Sequence, residues 1–334
     1  MKNTFRFLMI ICLSIFSCSK TTSPLNEKYY IHNSWLKGEV KSIETKLFEF
    51  KLLNDSIIIG QRINDFDFDS YSLKEFNNEG LIIFEKTNES KIKYFYDSSK
   101  KLVKRTESFK NDEFPSVIYK YKYNEQDSLT KIIYRNRGYK RTMVIERDNK
   151  NRGVKRTDYV NDTIQMIFEV KYDFAGNIIE ENKYLNKSKP LKFIKRNYNE
   201  INLLITEDIQ EFRQYDSLNY KNIYKYNNNS KIVEIKRNYV NDSDYTDVLK
   251  KYNSAGKLIM EQWIPKGNRY SVTTTEIFDE YGNTIEFSRK SNDESMDDVW
   301  TSKYKYDEKE NWIEKQKFKN NKPVVIVKRE IEYY

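Results

Sequence analysis

The sequence predicts an all-β protein, a repetitive antiparallel β-hairpin meander rolled into a strongly twisted superhelical or barrel-like sheet. Three observations predict it. An aromatic residue followed by Asp or Asn recurs at Phe76-Asn77, Tyr96-Asp97, Tyr123-Asn124, Tyr172-Asp173, Tyr198-Asn199, Tyr226-Asn227, Tyr252-Asn253, Phe278-Asp279 and Tyr306-Asp307, with a degenerate copy at Arg147-Asp148. Steps between copies average about 25.6 residues, a period that marks a repeat array. Segments entering these pairs alternate with period two: Tyr119, Tyr121 and Tyr123 oppose Lys120 and Lys122, and Tyr224 with Tyr226 and Tyr304 with Tyr306 repeat the pattern. That is the mark of antiparallel sheet with one packed and one wet face. No stretch after residue 18 carries an apolar helical stripe with caps.

In chain order, Lys2 and Arg6 precede an apolar run from Phe7 to Phe16 that ends in Ser17-Cys18. The run is too short to cross about 30 Å of hydrocarbon, which needs roughly 20 helical residues. A basic flank, a short apolar core and a small residue before the cut predict a signal peptide over residues 1–17. Ile15-Phe16-Ser17-Cys18 resembles a bacterial lipobox, with Phe16 bulkier than usual. That resemblance implies that Cys18 is the lipid-attachment residue and that the chain meets a membrane through acyl chains. Residues 18–35, with Thr21-Thr22-Ser23-Pro24, read as a polar tether.

Residues 36–334 read as a single β-repeat array. The alternating segments Gly38–Lys46 and Lys46–Leu52 form its opening cap, because terminal repeats are usually atypical. In each later unit the Asp or Asn opens a turn through a side-chain bond to the backbone. The residue four places after the aromatic is Gly (Gly80, Gly176, Gly256, Gly282) or one tolerant of positive φ (Asp127, Asn151, Asn202), with Lys100, Ser230 and Glu310 departing from the pattern. An apolar residue two places on, such as Ile82, Leu102, Ile178 or Leu258, starts the returning strand. Pro323 to Tyr334 reads as a last strand.

These turns, best seen in Tyr172-Asp173-Phe174-Ala175-Gly176-Asn177 and Phe278-Asp279-Glu280-Tyr281-Gly282-Asn283, resemble the YD repeats of the RHS family over residues 76 to 312. The ends, Leu36-Lys37-Gly38-Glu39-Val40-Lys41-Ser42 and Arg329-Glu330-Ile331-Glu332-Tyr333-Tyr334, look like those of repeat lipoproteins of Bacteroidetes-type bacteria. The resemblance implies a spiralling β-hairpin sheet in the cell envelope, lipid-anchored at the outer membrane on its periplasmic or surface face. The core-associated cleavage segment and variable tip of large RHS toxins have no counterpart in the sequence, which argues against toxin delivery. Asp55-Ser56-Ile57, Asp127-Ser128-Leu129, Asp162-Thr163-Ile164 and Asp216-Ser217-Leu218 resemble O-glycosylation acceptors, although Asp-Ser also favours turns.

Composition narrows the chemistry. Aromatics make up 15% of the 334 residues, with 27 Tyr and 19 Phe, so a core is available although only 38% of residues are hydrophobic. One His and two Cys cannot assemble a Cys/His triad or a histidine-rich metal site. No cofactor is implied, and the chain reads as a non-enzyme. Removing Lys2 and Arg6 lowers the net charge from +9 to +7. The lysines read as evenly spread and paired with nearby glutamates, so nucleic acid is not an expected partner. An outer-membrane barrel is disfavoured because lysines at alternate strand positions leave no apolar band.

Candidate sites are few. Trp263, Trp300 and Trp312 suit stacking on a sugar or packing a partner strand, with core filling as the plain alternative. Asp65, Asp67 and Asp69 alternate with Phe66 and Phe68, but Ser70 stands where a calcium loop needs glycine, so the segment reads as a strand with an acidic face and no metal site. His32 reads as an exposed tether residue. The expected function is a non-catalytic, monomeric envelope protein that binds a glycan or an envelope protein. An accessory or immunity-like lipoprotein of a toxin or secretion system is the alternative. A glycan hydrolase, which needs two carboxylates about 5 to 10 Å apart, comes third.

Overall fold

The computed structural model describes residues 36–334 apart from 54–55, 67–68, 111, 113, 187, 214–216, 241–244 and 268–271. The signal peptide, Cys18, the tether and His32 lie outside the described residues.

Among the described residues every regular element is a strand. In order these are β1 (Val40–Leu53), β2 (Ser56–Ile63), β3 (Asp65–Phe66), β4 (Asp69–Ser70), β5 (Ser72–Phe76), β6 (Ile82–Thr87), β7 (Ser90–Tyr96), β8 (Leu102–Phe109), β9 (Val117–Tyr123), β10 (Leu129–Asn136), β11 (Tyr139–Arg147), β12 (Gly153–Val160) and β13 (Thr163–Tyr172). They continue with β14 (Ile178–Leu185), β15 (Lys189–Tyr198), β16 (Leu204–Phe212), β17 (Ser217–Tyr226), β18 (Ile232–Tyr239), β19 (Tyr245–Tyr252), β20 (Leu258–Lys266), β21 (Val272–Phe278), β22 (Thr284–Ser291), β23 (Asp298–Tyr306), β24 (Trp312–Lys319) and β25 (Lys322–Tyr333).

From β5 to β25 each strand pairs antiparallel with the next, and the meander closes through β1. One edge of β1 pairs with β25 (Ile43 with Ile331, Leu47 with Val327), and the other pairs with β5 (Ile43 with Lys74) and, further along, with β2 (Leu47 with Ile63). Twenty-two of the 25 strands form this ring, so of the superhelical and barrel-like alternatives the molecule adopts the barrel. Closure removes the edges that an open sheet of this width would expose. Twenty-two strands at about 4.8 Å give a circumference of roughly 105 Å and a diameter near ~34 Å before strand tilt is counted.

The aromatic-Asp/Asn pairs build one recurrent turn. At Asn199 the side-chain Oδ1 accepts from the backbone N–H of Ile201 (3.2 Å) and Leu203 (2.8 Å), while Asn199 N–H donates to Leu203 O (2.9 Å). The residue four places after the aromatic takes positive φ in all ten copies, from 57° at Ser230 to 89° at Gly176. Lys100 (61°), Ser230 and Glu310 (62°) therefore depart in residue type but not in conformation. The extra residue makes a bulge beside each turn, as between Asn197 and Tyr198, which bends the strand and sharpens sheet twist.

The motif tyrosine latches each unit to the one before. Tyr96, Tyr123, Tyr172, Tyr198, Tyr226 and Tyr252 donate their hydroxyls to the carbonyls of Ile82, Leu102, Gly153, Ile178, Leu204 and Ile232, at 2.6 to 2.9 Å. In the degenerate copy Arg147 donates to Leu129 O instead (2.7 Å), and at the seam Tyr334 donates to Phe76 O (2.5 Å). The apolar clusters sit beneath this ladder. The largest joins Val40, Ile43, Phe76, Ile82, Tyr94, Leu102, Tyr121 and Ile132 across the seam.

The two faces of the ring differ in burial. Tyr94, Tyr121, Asp158, Ile194, Asn222, Lys250 and Asp298 share one face by register and are all buried, as expected on the concave side of a closed sheet where side chains crowd together. Lys91, Lys93, Lys120 and Lys122 lie on the other, outer face and are exposed.

Candidate functional site

The inner wall is built from ionic rows running across strands. Between β15 and β18, Arg196, Glu207, Asn222 and Arg237 stand opposite one another in register. Arg196 donates to Glu207 Oε1 (2.7 Å) and Glu181 Oε2 (3.2 Å), and Asn222 donates to Glu207 Oε2 (3.2 Å) while accepting from Arg237 (3.1 Å). The Tyr224 hydroxyl donates to Glu207. Burial works against ionisation of Glu207, yet the Arg196 charge and the donors on Tyr224, Arg196 and Asn222 outweigh it and hold the carboxyl below its ordinary range. Burial and the neighbouring carboxylate push Tyr224 far up. Asp158, only 1% exposed, bonds Arg141 (2.9 Å) and Arg156 (3.0 Å). Among the described residues no group of three or more His, Cys, Asp or Glu is placed to hold a metal.

The β3–β4 hairpin lies over the inner face of β23 to β25. Asp69 bonds Lys315 Nζ (3.1 Å) and Lys317 Nζ (3.2 Å), and Phe66 packs 6.2 Å from Trp300. Asp69 is thus a structural counter-charge, and the expected single strand with one acidic face is instead a short hairpin in which Asp69 stands opposite Phe66 and Asp65 opposite Ser70; Asp67 lies outside the described residues. Trp300 also carries Lys319 over its ring (5.0 Å). Trp312 packs beside Leu47, Val325 and Val327, with the Arg329 guanidinium 3.2 Å from its ring centroid. Burial lowers Arg329 to about 9, with Asp69 and Tyr304 opposing the shift. Trp263 sits apart on β20, 37% exposed, with its indole N–H on Glu261 (2.8 Å). The structure therefore brings Trp300 and Trp312 together near β23 to β25 and leaves Trp263, which shares the inner face opposite Val248, apart from them along the ring.

The outer face corrects the expectation of evenly paired lysines. Register places Lys86 opposite Lys91, Lys104 opposite Lys120, Lys131 opposite Lys122, and Arg135 opposite Lys140, all facing outward on β6 to β11. Among the described residues no carboxylate faces outward between β6 and β10. Elsewhere lysines are matched, as in Lys171 with Glu180 (2.6 Å), Lys225 with Glu234 (2.8 Å) and Lys305 with Glu314 (2.8 Å). Like charges directly opposite cost a few tenths of a kcal/mol or more each, so the basic face is not a product of strand stability.

At its rim this face opens into a cavity of about 710 Å³, a size typical of ligand pockets. Ile118, Arg135 and Lys140 of the strands line it together with Phe114 of the β8–β9 connection and Tyr139 of the β10–β11 hairpin, whose ring packs edge-on against Tyr134 (5.9 Å) on the inner side. Phe114 is 78% exposed. Lys140 is paired with Asp162 (2.8 Å) and Arg137 with Asp112 (2.6 Å), whereas Arg135 has no acidic partner among the described residues. A second cavity of about 480 Å³ adjoins along Asp112, Ser116, Asn136 and Arg137 and extends the cleft to Phe109 and Lys110. Alternation in β7 and β9 was the available sequence signal for the basic face, but which lysines meet is decided by register between strands.

No family model and no curated protein matches the chain. Solved structures do. A chain in the Photorhabdus luminescens Tc holotoxin pore is similar at 13% identity and TM-score 0.39, over 80% of this chain and 16% of that one. A chain of the TcdB2-TccC3 complex is similar at 10% identity and TM-score 0.33, over 77% of this chain and 19% of that one. These are RHS/YD-repeat toxin components. A porin-like protein from Bacteroides uniformis is similar at 10% identity and TM-score 0.31, over 89% of this chain and 98% of that one. The chain spans about a sixth of the length of the toxin-complex chains it matches.

Proposed function

We propose that the protein is a lipid-anchored, non-catalytic β-barrel of the bacterial cell envelope that binds a glycan or an envelope protein. The observation that carries this reading is a closed ring charged on both faces. The inner wall holds Arg196, Asp158 and Lys250, and the outer face holds opposed lysines. Among the described residues neither face offers the apolar band, about 25 Å tall, of a barrel that crosses lipid. Attachment through acyl chains on Cys18 reconciles such a surface with an envelope address.

Cys18→Ala tests the anchor. Acyl labelling and membrane association should both be lost, and unchanged membrane fractionation contradicts it. Retention of the chain on an immobilised envelope glycan, without turnover of that glycan, tests the binding role. The YD-type turns favour a second reading, an accessory lipoprotein of a toxin or secretion system, which predicts one tight protein partner in a pulldown.

A further inference from the structure

We infer that the basic outer face of β6 to β11, together with the aromatic cleft at its rim, is a binding site for an acidic polysaccharide whose sugars carry carboxylates. The inference rests on the glycan-binding reading above and assigns its site and ligand class. Lys86 faces Lys91, Lys104 faces Lys120 and Lys122 faces Lys131, with no outward carboxylate among the described residues between β6 and β10 to separate them. A sheet that elsewhere alternates lysine with glutamate has the means to neutralise these positions and does not, so the charge answers to something outside the fold. Opposed cations at strand spacing, about 4.8 Å, form a lattice that meets an anion repeated along a polymer.

The cleft selects the kind of polymer. It presents Arg135, whose planar guanidinium matches a carboxylate in bidentate fashion, beside the exposed ring of Phe114. An aromatic face beside a cation suits a pyranose ring bearing an acid. The adjoining cavity past Asn136 and Arg137, lined further by Glu89, Phe109 and Lys110, makes the cleft longer than one sugar. A flat bilayer surface gains nothing from such a concave, aromatic-lined rim.

The test measures binding of the full chain to polygalacturonate, neutral dextran, vesicles containing phosphatidylglycerol, and single-stranded DNA. Polygalacturonate is expected to bind most tightly, with affinity falling as salt rises. Lys120→Glu should weaken it about tenfold while raising the melting temperature, because the same substitution relieves repulsion from Lys104. Arg135→Ser and Phe114→Ala should each weaken it without changing the fold, and Lys225→Ser, in a neutralised pair, should leave it unchanged. Lys120→Glu with unaltered affinity, or tighter binding to vesicles or DNA than to polygalacturonate, overturns the inference. Retention of dextran or a protein but not polygalacturonate overturns it while leaving the broader binding reading in place. Retention of no glycan and no protein overturns both.

Discussion

At the scale of single residues, the hydroxyls of six motif tyrosines, Tyr198, Tyr226 and Tyr252 among them, reach a backbone carbonyl of the preceding unit, a part-buried bond whose loss should be felt, whereas Tyr306 donates to the Asp279 carboxylate instead. Tyr226→Phe keeps the ring and removes only the donor to Leu204 O, so it should cost about 1 kcal/mol in denaturant unfolding with little change in slope. The turn position gives the complementary case. Glu310 holds φ at 62°, where a side chain is strained, and Glu310→Gly should stabilise by up to about 1 kcal/mol. Gly282 has φ of 87° and nothing within 4 Å of an added Cβ, so Gly282→Ala should cost about 1 kcal/mol through backbone conformation alone.

At the scale of elements, the β3–β4 hairpin is held to the inner wall by Asp69 between Lys315 and Lys317. Lys315 is largely buried and burial lowers its pKa, so Asp69→Ala should cost roughly 2 to 4 kcal/mol, visible as a drop in melting temperature. The hairpins themselves were legible in the sequence, because Tyr-Asp pairs, left-handed turn residues and period-two alternation are local signals. Their neighbours were not. The matched Lys171–Glu180 pair joins strands across one short turn, whereas Lys104 meets Lys120 only through the register of β8 and β9 across a longer connection. Likewise Tyr198 shows its place in the turn but not that its hydroxyl ends on Ile178 O, and Arg147 shows no sign of standing in for a tyrosine.

At the scale of the molecule, the buried tyrosines and carboxylates set a stability window in pH. Burial pushes Tyr96 and Tyr220 up to about 12 from an ordinary 10, with neighbouring Tyr123 and Glu211 adding to the respective shifts. A raised phenol contributes stability that is complete below pH 10 and is lost as pH rises toward 12, because only the unfolded chain ionises in that interval. Glu207 is lowered and acts in the opposite sense, its contribution present above the ordinary carboxylate range and lost as pH falls through its folded value. Unfolding midpoints should therefore decline at both extremes, and Glu207→Gln should flatten the acid limb specifically. Closure belongs to this scale too. Nothing local in residues 40–53 announces that they pair with residues 322–333, although both segments read as strands. The ring depends on that seam, and so does the distinction between an outer basic face and an inner ionic wall. Spin labels at Glu44→Cys and Glu330→Cys, in a Cys12→Ser/Cys18→Ser background, test it directly, since the two positions are register partners across β1 and β25. A closed barrel predicts one narrow distance distribution below about 20 Å, strand spacing plus the two label arms. A broad distribution at several tens of ångströms, as from the two ends of an open spiral, would contradict the closed ring.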